Sequence, residues 1–426
     1  MEAETGMLDL KLIRESPELV RQALKQRGIA FDLDLVVELD KRHRNLLSQL
    51  EELRAKHKQM SKQIGKGGAD KEELIARMRQ MGEEISSLQQ EVNQSKDRLE
   101  SLLLELPNIP HPGVPAGKDE NDDIVVRSWG EPKSFSFTPR PHWELGERLG
   151  ILDIPRGVKL SGTRFYVLKG LGARLQRALI TFMLELHINK HNYKEIYPPF
   201  MVRRECMVGS GNLPKFADNL YHDEEDDLWF IPTAEVPLTN LHRDEIVDAA
   251  MLPSYYVACT ACFRREKMSA GKDTRGIKRG HQFDKVELYK LTEPESSDEE
   301  LEKLVADVED VCRELDLPYR VKELCSGDLG FVAARTYDIE MWAPGCEEWL
   351  EVSSCSNCTD FQARRANIRY RPQGGGKLRF VHTLNGSGLA LPRLFIAVLE
   401  NYQQADGTVL VPPALKPYMK VEAISP

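Results

Sequence analysis

Apolar residues recur in an alternating four-three rhythm along two long stretches, and this rhythm constrains the fold more than any other feature. The first stretch has Leu39, His43, Leu46, Leu50, Leu53, His57, Met60 and Ile64 at these positions. The second has Leu74, Met78, Met81, Ile85, Leu88, Val92, Ser95, Leu99, Leu102 and Leu106. Such spacing is the seam of a coiled coil. Because Gly65-Lys66-Gly67-Gly68 separates the stretches, we predict that residues 33–106 form a long antiparallel arm of two helices.

The charge of the first helix in this arm is one-sided. Residues 40–66 contain eight Lys or Arg and three acidic residues, whereas the whole chain has a formal net charge of −9. A solvated helix face usually collects charges of both signs, and a phosphate backbone is bound by a basic face. Coiled coils also commonly serve for dimerisation or as spacers. The pattern therefore leaves two roles open, dimerisation or spacing on one side and binding of a nucleic acid on the other.

The arm ends where proline and glycine become frequent. Pro107, Pro110, Pro112 and Pro115 precede the charged run 118–123, so we predict a linker at 107–123. This divides the chain into an N-terminal helical domain, 1–106, and a body, 124–426. In the body, β-rich runs alternate irregularly with helical patterns at 171–190, 298–315 and 389–404. We predict an α+β fold, in which helices flank a mainly antiparallel sheet.

Length and composition are ordinary for a globular protein. The chain has 426 residues, of which 41% are hydrophobic, which allows two or three domains with buried cores. Met1–Asp9 lacks the basic and apolar regions of a secretory signal. No segment reaches the roughly 18 uncharged apolar residues of a membrane span. We therefore expect a cytoplasmic protein with no membrane contact.

Eight cysteines include two C-x-x-C pairs, Cys259 with Cys262 and Cys355 with Cys358. The first pair lies in a β-rich run, where residues three apart point to opposite faces and do not bind one ion together. The pairs are much further apart than the ~15 to 20 residues typical of a four-cysteine zinc site. We expect buried free thiols and no zinc.

A charged hairpin lies near the middle of the chain. An apolar strand runs into the sequence FRRE, a polar loop follows, and HQFDKVE returns as a strand. With a period of two, Arg264 shares a face with Glu266, and Phe283 shares one with Lys285 and Glu287. These side chains are suited to clamping a phosphate, capping an adenine amino group, stacking on a base and reading a small polar substrate.

A second candidate for anion binding lies near the C-terminus. The chain has neither a Walker A motif nor G-x-G-x-x-G. However, residues 385–388, with the sequence NGSG, open an apolar run, and Arg393 follows. We predict a helix start here, whose free N–H groups and Arg393 face an anion. A capped helix with a surface arginine explains the same residues and is the interpretation that the pattern alone favours.

Together these motifs resemble those of class II aminoacyl-tRNA synthetases. The FRRE hairpin resembles motif 2, the segment GLALPRLFIAVLEN resembles motif 3, and the helix at 171–190 leading to YPPF resembles motif 1, which builds the dimer interface in that class. Within the class, the chain resembles bacterial-type seryl-tRNA synthetases. That likeness rests on the N-terminal arm and on TAE at 233–235, GNLPKF at 211–216, HQF at 281–283 and EVSS at 351–354.

The resemblance implies roles for individual residues. The catalytic pair would be Arg264, between the serine carboxylate and the α-phosphate of ATP, and Arg393, on the γ-phosphate. Serine would be bound by Thr233, Ala234, Glu235, Arg264, Glu287 and Ser387. ATP would be bound by Arg264, Arg265, Glu266, Phe283, Glu351, Val352, Ser353, Ser354 and Arg393, with Glu266 and Phe283 on adenine. Mg²⁺ would bind Glu351 and Ser354, whose oxygens suit a hard ion.

The same resemblance implies a reaction and its partners. L-serine would be joined to tRNA(Ser), and to tRNA(Sec) where that exists, through a seryl-adenylate made from ATP. A serine carboxylate is ionised at pH 7, so this attack needs alignment and charge neutralisation rather than a general base. Rejection of glycine and alanine needs a buried acceptor for the serine hydroxyl, for which Glu287 is the candidate. The implied assembly is a homodimer, and the arm would bind tRNA.

Two other functions remain to be distinguished. A class II body can load an amino acid onto a carrier protein, although such relatives typically lack a long arm. A non-catalytic regulatory paralogue would have lost members of the set Arg264, Glu266, Glu351 and Arg393, all of which are present. Serine-dependent exchange of pyrophosphate into ATP, followed by charging of tRNA, separates the three functions.

Overall fold

The computed structural model describes residues 8–64, 71–267 and 275–426 and divides into two compact units. One unit is Met1–Lys25 with Ile29–Pro107, and the other is Gln26–Gly28 with Asn108–Pro426. The glycine turn predicted at Gly65–Gly68 lies outside the described residues. In the described part of the chain, no helix is both long and apolar enough to cross a membrane.

The helices of the described residues are, in chain order, α1 Leu10–Glu15, α2 Pro17–Gln26, α3 Leu33–Ile64, α4 Lys71–Leu103, α5 His142–Arg148, α6 Ile154–Ser161, α7 Leu171–Asn189, α8 Arg204–Gly209, α9 Glu235–Asn240, α10 Ser297–Glu314, α11 Phe361–Arg365, α12 Leu391–Tyr402 and α13 Lys416–Met419. The strands are β1 Ile124–Trp129, β2 Leu152–Asp153, β3 Val167–Leu168, β4 Lys194–Glu195, β5 Met201–Arg203, β6 His222–Asp223, β7 Leu228–Phe230, β8 Ile246–Val247, β9 Ser254–Phe263, β10 Gln282–Thr292, β11 Tyr319–Glu323, β12 Arg335–Ala343, β13 Glu348–Asn357, β14 Arg369–Tyr370, β15 Arg379–Phe380, β16 His382–Ala390, β17 Val409–Leu410 and β18 Ala423–Ile424.

Helices α3 and α4 form the predicted coiled coil, with 32 and 33 residues. Every seam position in the two helices is buried or half-buried, whereas most positions between them are exposed. Leu46 and Leu50 of α3 form a buried cluster with Val92 of α4, and one turn further along α3, Arg54 donates a hydrogen bond to Gln89. The partner number falls as the α3 number rises, so the helices are antiparallel. The predicted two-helix hairpin is confirmed.

The second unit is built on a sheet of eight strands in the order β1-β11-β12-β13-β16-β10-β9-β4. All neighbouring pairs are antiparallel except β4 with β9. Helices α7, α10 and α12 pack on this sheet and share its main hydrophobic core. The predicted α+β body, a mainly antiparallel sheet flanked by helices, is confirmed.

One local prediction is wrong. Residues 385–388 do not begin a helix, because they lie in the middle of strand β16, and helix α12 begins only at Leu391. Strand pairing accounts for the difference, since Asn385, Gly386 and Ser387 pair with Tyr289, Leu288 and Glu287 of β10. Tertiary pairing thus overrides the local turn signal of the glycines. Arg393 still lies in the first turn of α12, as predicted.

Candidate active site

A buried cluster on strand β10 is centred on the carboxylate of Glu287. Lys285, two residues earlier and on the same face, places its Nζ 2.5 Å from Glu287 Oε2. Thr233 donates its hydroxyl to the same oxygen at 3.0 Å. All three residues are at most 7% exposed. Glu287 is therefore a carboxylate held in a fixed position by one cation and one hydroxyl.

Ser387 reaches this face because of a β-bulge in strand β16. Glu287 pairs with Ser387 and Val286 pairs with Leu389, so Gly388 is an extra residue in the pairing. The space around it is small: a Cβ at Gly388 would lie 3.1 Å from Nε2 of His187 and 3.2 Å from side-chain carbons of Leu288 and Val286. A glycine therefore allows the bulge that turns Ser387 toward Glu287.

A second bulge in strand β13 aligns the residues proposed to bind a metal. Val352 is the extra residue in the pairing of β13 with β12. Glu351 and Ser354, three residues apart, consequently lie on one face together with Asp338 of β12. Burial, followed by the charge of Glu351, raises the pKa of Asp338 well above its ordinary value. Among the described residues, Asp338 Oδ1 is buried without a hydrogen-bond partner.

The end of strand β9 and the start of β10 bring an arginine to an aromatic ring. Arg264 donates its Nε to the carbonyl oxygen of Pro232 at 3.2 Å, and its guanidinium carbon lies 5.1 Å from the ring centre of Phe283. Glu266 has a positive φ of 51° and lies 3.8 Å from a guanidinium nitrogen of Arg279. The strand ends therefore present two cations, one carboxylate and one flat ring.

Helix α12 contributes Arg393, which contacts Glu351 twice. Its NH1 donates to the carbonyl oxygen of Glu351 at 2.5 Å and lies 3.2 Å from the carboxylate. Desolvation alone would raise the pKa of Glu351, but the side chain is 47% exposed, and the guanidinium of Arg393 decides the direction. The pKa of Glu351 is lowered, so this carboxylate stays ionised at neutral pH.

Glu235 provides a second carboxylate next to the Glu287 cluster. Its Oε1 accepts hydrogen bonds from Gln362 at 2.5 Å and from Asn385 at 3.2 Å. Burial, and then the nearby charge of Glu287, raises the pKa of Glu235 to about 7. This group therefore changes its charge within the physiological range, unlike an ordinary glutamate.

One cleft gathers most of the predicted ATP residues. Its lining includes Arg264, Glu266, Phe283, Glu351, Val352, Ser387 and Arg393. A neighbouring cleft shares Arg264 and Glu266 and adds Thr233 and Glu235. Residues predicted to bind ATP and serine, from six separate parts of the sequence, thus line two adjoining clefts that meet at Arg264.

Five predicted side chains lie outside the linings of both clefts. One of them, Glu287, is bonded to Thr233 and Lys285, which do belong to those linings. Arg265 donates its Nε to the Leu220 carbonyl oxygen at 2.8 Å and stacks on the ring of Tyr221 at 5.0 Å. Ala234 is fully buried, and Ser353 donates its hydroxyl to the carbonyl oxygen of Ser387 at 2.6 Å. Ser354 lies on the Glu351 face but outside the lining of the first cleft. The side chain of Arg265 thus binds the segment at Leu220, and that of Ser353 joins strand β13 to strand β16.

Three charged residues of the first cleft received no role from the sequence: Lys278, Arg279 and Lys285. For Lys285 the signal was present, because it alternates with Phe283 and Glu287 on β10. Lys278 and Arg279 follow a polar loop, and a loop carries no periodicity from which a side-chain direction can be read.

The cysteines are free thiols. Cys262, Cys355 and Cys358 are buried and Cys259 is half-buried, and burial raises the pKa of all four thiols. The prediction of buried free thiols is confirmed for three of the four, and all four are poor nucleophiles at neutral pH.

Two family models match the chain. Residues 7–110 match the seryl-tRNA synthetase N-terminal domain, and residues 216–402 match the tRNA synthetase class II core domain (G, H, P, S and T). A serine–tRNA ligase of Thermomicrobium roseum is 61% identical over 97% of this chain and 93% of its own length. A serine–tRNA ligase of Dehalococcoides mccartyi is 61% identical over 98% of this chain and all of its own length. The chain belongs to the seryl-tRNA synthetase family.

A solved structure agrees with this membership. The crystal structure of a seryl-tRNA synthetase from Pyrococcus horikoshii complexed with ATP superposes with a TM-score of 0.91 at 42% identity. It covers 99% of this chain and all of that one. The resemblance inferred from the motifs and the class II fold are therefore both confirmed, and the chain is an aminoacyl-tRNA synthetase by family.

Proposed function

We propose that this chain attaches L-serine to tRNA(Ser) in two steps, with ATP as the source of energy and seryl-adenylate as the intermediate. Membership of the seryl-tRNA synthetase family supports this function. The observation that carries it is the convergence of two clefts at Arg264, one lined by Arg393 and Phe283 and the other by Thr233 and Glu235. A nucleotide and a small amino acid bound in these clefts would both reach the same guanidinium.

In the first step, a carboxylate oxygen of serine attacks the α-phosphorus of ATP. A new O–P bond forms, the bond to the bridging oxygen breaks, and pyrophosphate leaves. Arg264 is positioned for this step because its Nε is held by the Pro232 carbonyl oxygen, while its guanidinium has further N–H groups on the terminal nitrogens. It binds the serine carboxylate and the α-phosphate together and neutralises the charge that builds up between them.

The remaining ATP contacts follow from the same cleft. Phe283 stacks on adenine, Glu266 accepts a hydrogen bond from its amino group, and Arg393 binds the γ-phosphate. Since Arg393 is tied to Glu351, its guanidinium is oriented before ATP binds. Because this side chain is already ordered, ATP binding loses less free energy to the ordering of side chains.

Glu351 and Ser354 are the proposed ligands for Mg²⁺, and their surroundings fit a hard cation. Glu351 keeps its charge, Ser354 shares its face, and the unpaired oxygen of Asp338 adds a third donor nearby. When bound, Mg²⁺ neutralises phosphate charge. The protein's own part is to keep Glu351 ionised, which Arg393 does.

Selection of serine rests on the buried carboxylate cluster. We assign the serine hydroxyl to Glu287, with Ser387 beside it, and the serine ammonium to Glu235 and Thr233. Glycine and alanine have no hydroxyl to donate to Glu287. The missing hydrogen bond lowers their binding free energy far more than the loss of a methylene contact would. The Lys285 ion pair fixes the carboxylate so that it does not move to other partners.

In the second step, the serine carbonyl carbon is attacked by a ribose hydroxyl at the tRNA 3′ end, and AMP leaves. The basic side chains of α3, among them the exposed Arg54, Lys56 and Lys58, fit the phosphate backbone of that tRNA. We therefore assign residues 1–106 to tRNA binding, 107–123 to a linker and 124–426 to catalysis. Where tRNA(Sec) exists, the same surface would serve it.

We also propose a homodimer formed around helix α7 and the segment after it, up to residue 200. Tyr197 is 84% exposed and Leu160 on the preceding helix α6 is 75% exposed. Both are large apolar side chains open to solvent, which a subunit interface would cover. Dimerisation through this surface leaves the coiled coil to bind tRNA.

The proposal is tested by exchange of labelled pyrophosphate into ATP with each of serine, threonine, alanine and glycine. We expect exchange with serine and at least about 100-fold less with glycine and alanine. Absence of exchange with serine would contradict the enzymatic function. Exchange without subsequent charging of tRNA would favour a ligase that loads a carrier protein, and preservation of Arg264, Glu266, Glu351 and Arg393 argues against a regulatory paralogue.

A further inference from the structure

His142 is a buried histidine that the proposed reaction does not use, yet it links two walls of the ATP cleft. It is the first residue of helix α5 and is fully buried. Its Nδ1 lies 2.9 Å from Oε1 of Glu400, and its Nε2 accepts a hydrogen bond from the backbone N–H of Ile277 at 3.2 Å. One ring therefore joins helix α12 to the segment 275–281, which we call the return segment.

Both partners of His142 lead to residues of the cleft. Glu400 follows Arg393 by seven residues on α12, or about 10 Å along the helix axis. Ile277 is 1% exposed and anchored in the main core, and the next two residues, Lys278 and Arg279, line the cleft. His142 thus connects the return segment to the helix that carries Arg393.

The hydrogen bonds define which nitrogen of the ring carries the proton. Because Ile277 donates to Nε2, that nitrogen is an acceptor, and the proton lies on Nδ1, where it is donated to Glu400. Burial lowers the pKa of His142, which agrees with a neutral ring. His142, Cys346 and Glu400 have ligand atoms close enough to hold a metal ion, but the protonated Nδ1 is the nitrogen that faces the other two.

The return segment approaches His142 so closely that residue 276 must be glycine. Gly276 has a φ of +72°, a conformation that other residues rarely adopt. A Cβ at this position would also lie 2.0 Å from His142 Nε2. The positive φ and the short distance to the ring both require glycine at this position, and glycine allows the segment to lie against His142.

We propose that His142 is a positioning residue for ATP, which holds the return segment, and with it Lys278 and Arg279, in register with Arg393. This inference rests on the proposed function, since it concerns how the same cleft receives its nucleotide. His142 itself touches no substrate. Its effect reaches ATP through the Ile277 backbone and leaves the serine cluster around Glu287 unchanged.

Three substitutions at position 142 separate this role from a purely structural one. His142→Asn keeps a donor near Nδ1 for Glu400 but does not reach Ile277, whereas His142→Gln reaches toward Ile277, and His142→Phe does neither. Glu400 remains hydrogen-bonded in each case, because it also accepts from the backbone N–H groups of residues 142, 345 and 346. The variants should therefore fold, which thermal melting verifies.

The readout is the Kd for ATP, measured by calorimetry on the full chain, together with KM for ATP and for serine in pyrophosphate exchange. For His142→Phe and His142→Asn we expect ATP binding to weaken by about 10- to 100-fold and serine KM to change by less than about twofold. His142→Gln should recover at least part of the loss. Gly276→Ala adds a methyl group that pushes the return segment away from the His142 ring, and it should reproduce the defect.

Cys346→Ala is the matched control, because it removes a thiol that contacts both Glu400 and His142 and leaves the hydrogen bond from Ile277 to the ring in place. It should leave ATP binding unchanged. Recovery by His142→Asn rather than His142→Gln, or an equal rise of both KM values, would overturn the inference. A Zn²⁺-dependent rise in Tm that Cys346→Ala abolishes would also overturn it. Since calorimetry needs no catalysis, failure of the proposed function is seen separately, as absence of serine-dependent exchange in the unaltered chain.

Discussion

At the scale of single residues, Glu287 carries the strongest expectation. Glu287→Gln should raise the KM for serine by at least about 100-fold. A neutral amide no longer forms the ion pair with Lys285, and it accepts a hydrogen bond from the serine hydroxyl less well than a carboxylate does. The substitution should also lower Tm, because a buried Lys285 loses its counter-charge, a change worth about 3–5 kcal/mol. Steady-state exchange with ATP binding as a control measures the effect. An unaltered serine KM would remove Glu287 from the serine site.

Glu235 makes a pH dependence testable. Its pKa of about 7 lies above that of an ordinary glutamate because of burial and the nearby Glu287. A serine ammonium binds the ionised form, so binding should improve as the pH rises through 7. From pH 6 to pH 8 the ionised fraction increases about tenfold, and serine KM should fall by the same factor. Exchange kinetics over this range provide the measurement.

The control for this prediction is Glu235→Gln. With no group to titrate, this variant should show a high serine KM that stays flat between pH 6 and pH 8. The same fall in KM in both proteins would assign the titration to another group. A flat profile in the unaltered chain would show that Glu235 does not bind the ammonium.

Residue identities at the site could be predicted where a regular element presents them. Phe283 and Glu287 share a face of β10, and period two was enough to place them together. The environment of Arg265 was not predictable, because its bonds to Leu220 and Tyr221 depend on a segment 44 or 45 positions away in the chain. The environment of Glu235 was not predictable either, because its hydrogen-bond donors Gln362 and Asn385 are distant in the sequence.

At the scale of elements, the bulge at Gly388 is a point where a single methyl group should matter. Gly388→Ala places a Cβ 3.1 Å from His187 Nε2, so β16 must shift or the neighbours must move. We expect the free energy of unfolding to fall by about 1–3 kcal/mol, and serine KM to rise because Ser387 turns away from Glu287. Chemical denaturation and exchange kinetics measure the two effects.

Gly82→Ala is a suitable comparison for this substitution. Gly82 lies within helix α4, and a Cβ there would meet no atom within 4 Å. The same change should therefore stabilise the protein, by up to about 1 kcal/mol, through helix propensity. Equal responses at positions 82 and 388 would contradict the assignment of the bulge to close packing.

The excess of basic residues on α3 yields a prediction for the coiled coil. Reversing the exposed charges with Lys56→Glu and Lys58→Glu should weaken tRNA charging by at least about tenfold, while pyrophosphate exchange stays unchanged. Arg77→Glu with Arg79→Glu on α4 reverses the same number of charges and serves as the control. Equal loss from both pairs would show that the effect is general electrostatics rather than a defined tRNA surface.

Elements differed in how far the sequence determined them. The two-helix hairpin was predictable because the seam repeats over many turns without a break. Residues 385–388 were not, since a short glycine-rich run has no period of its own, and its pairing with β10 is fixed by residues about a hundred positions away. The bulges at Val352 and Gly388 escaped prediction for the same reason, although they decide which side chains face the clefts.

At the scale of the whole molecule, salt should separate the two steps of the reaction. Binding of tRNA releases counterions from its phosphates. The logarithm of the association constant for tRNA should therefore fall steeply and linearly with the logarithm of the salt concentration. Serine activation involves small ligands in clefts and should change far less. Filter binding and pyrophosphate exchange between 50 and 200 mM salt, roughly the range in which such contacts weaken most, measure both.

Attachment of serine to tRNA can be measured as transfer of labelled serine to total tRNA. With ATP and Mg²⁺ present, we expect acid-precipitable seryl-tRNA, its loss in Glu287→Gln, and a reduced yield in the α3 charge-reversal variant whose exchange is intact. Formation of seryl-adenylate without any charged tRNA, or charging with threonine as efficient as with serine, would contradict the proposed function.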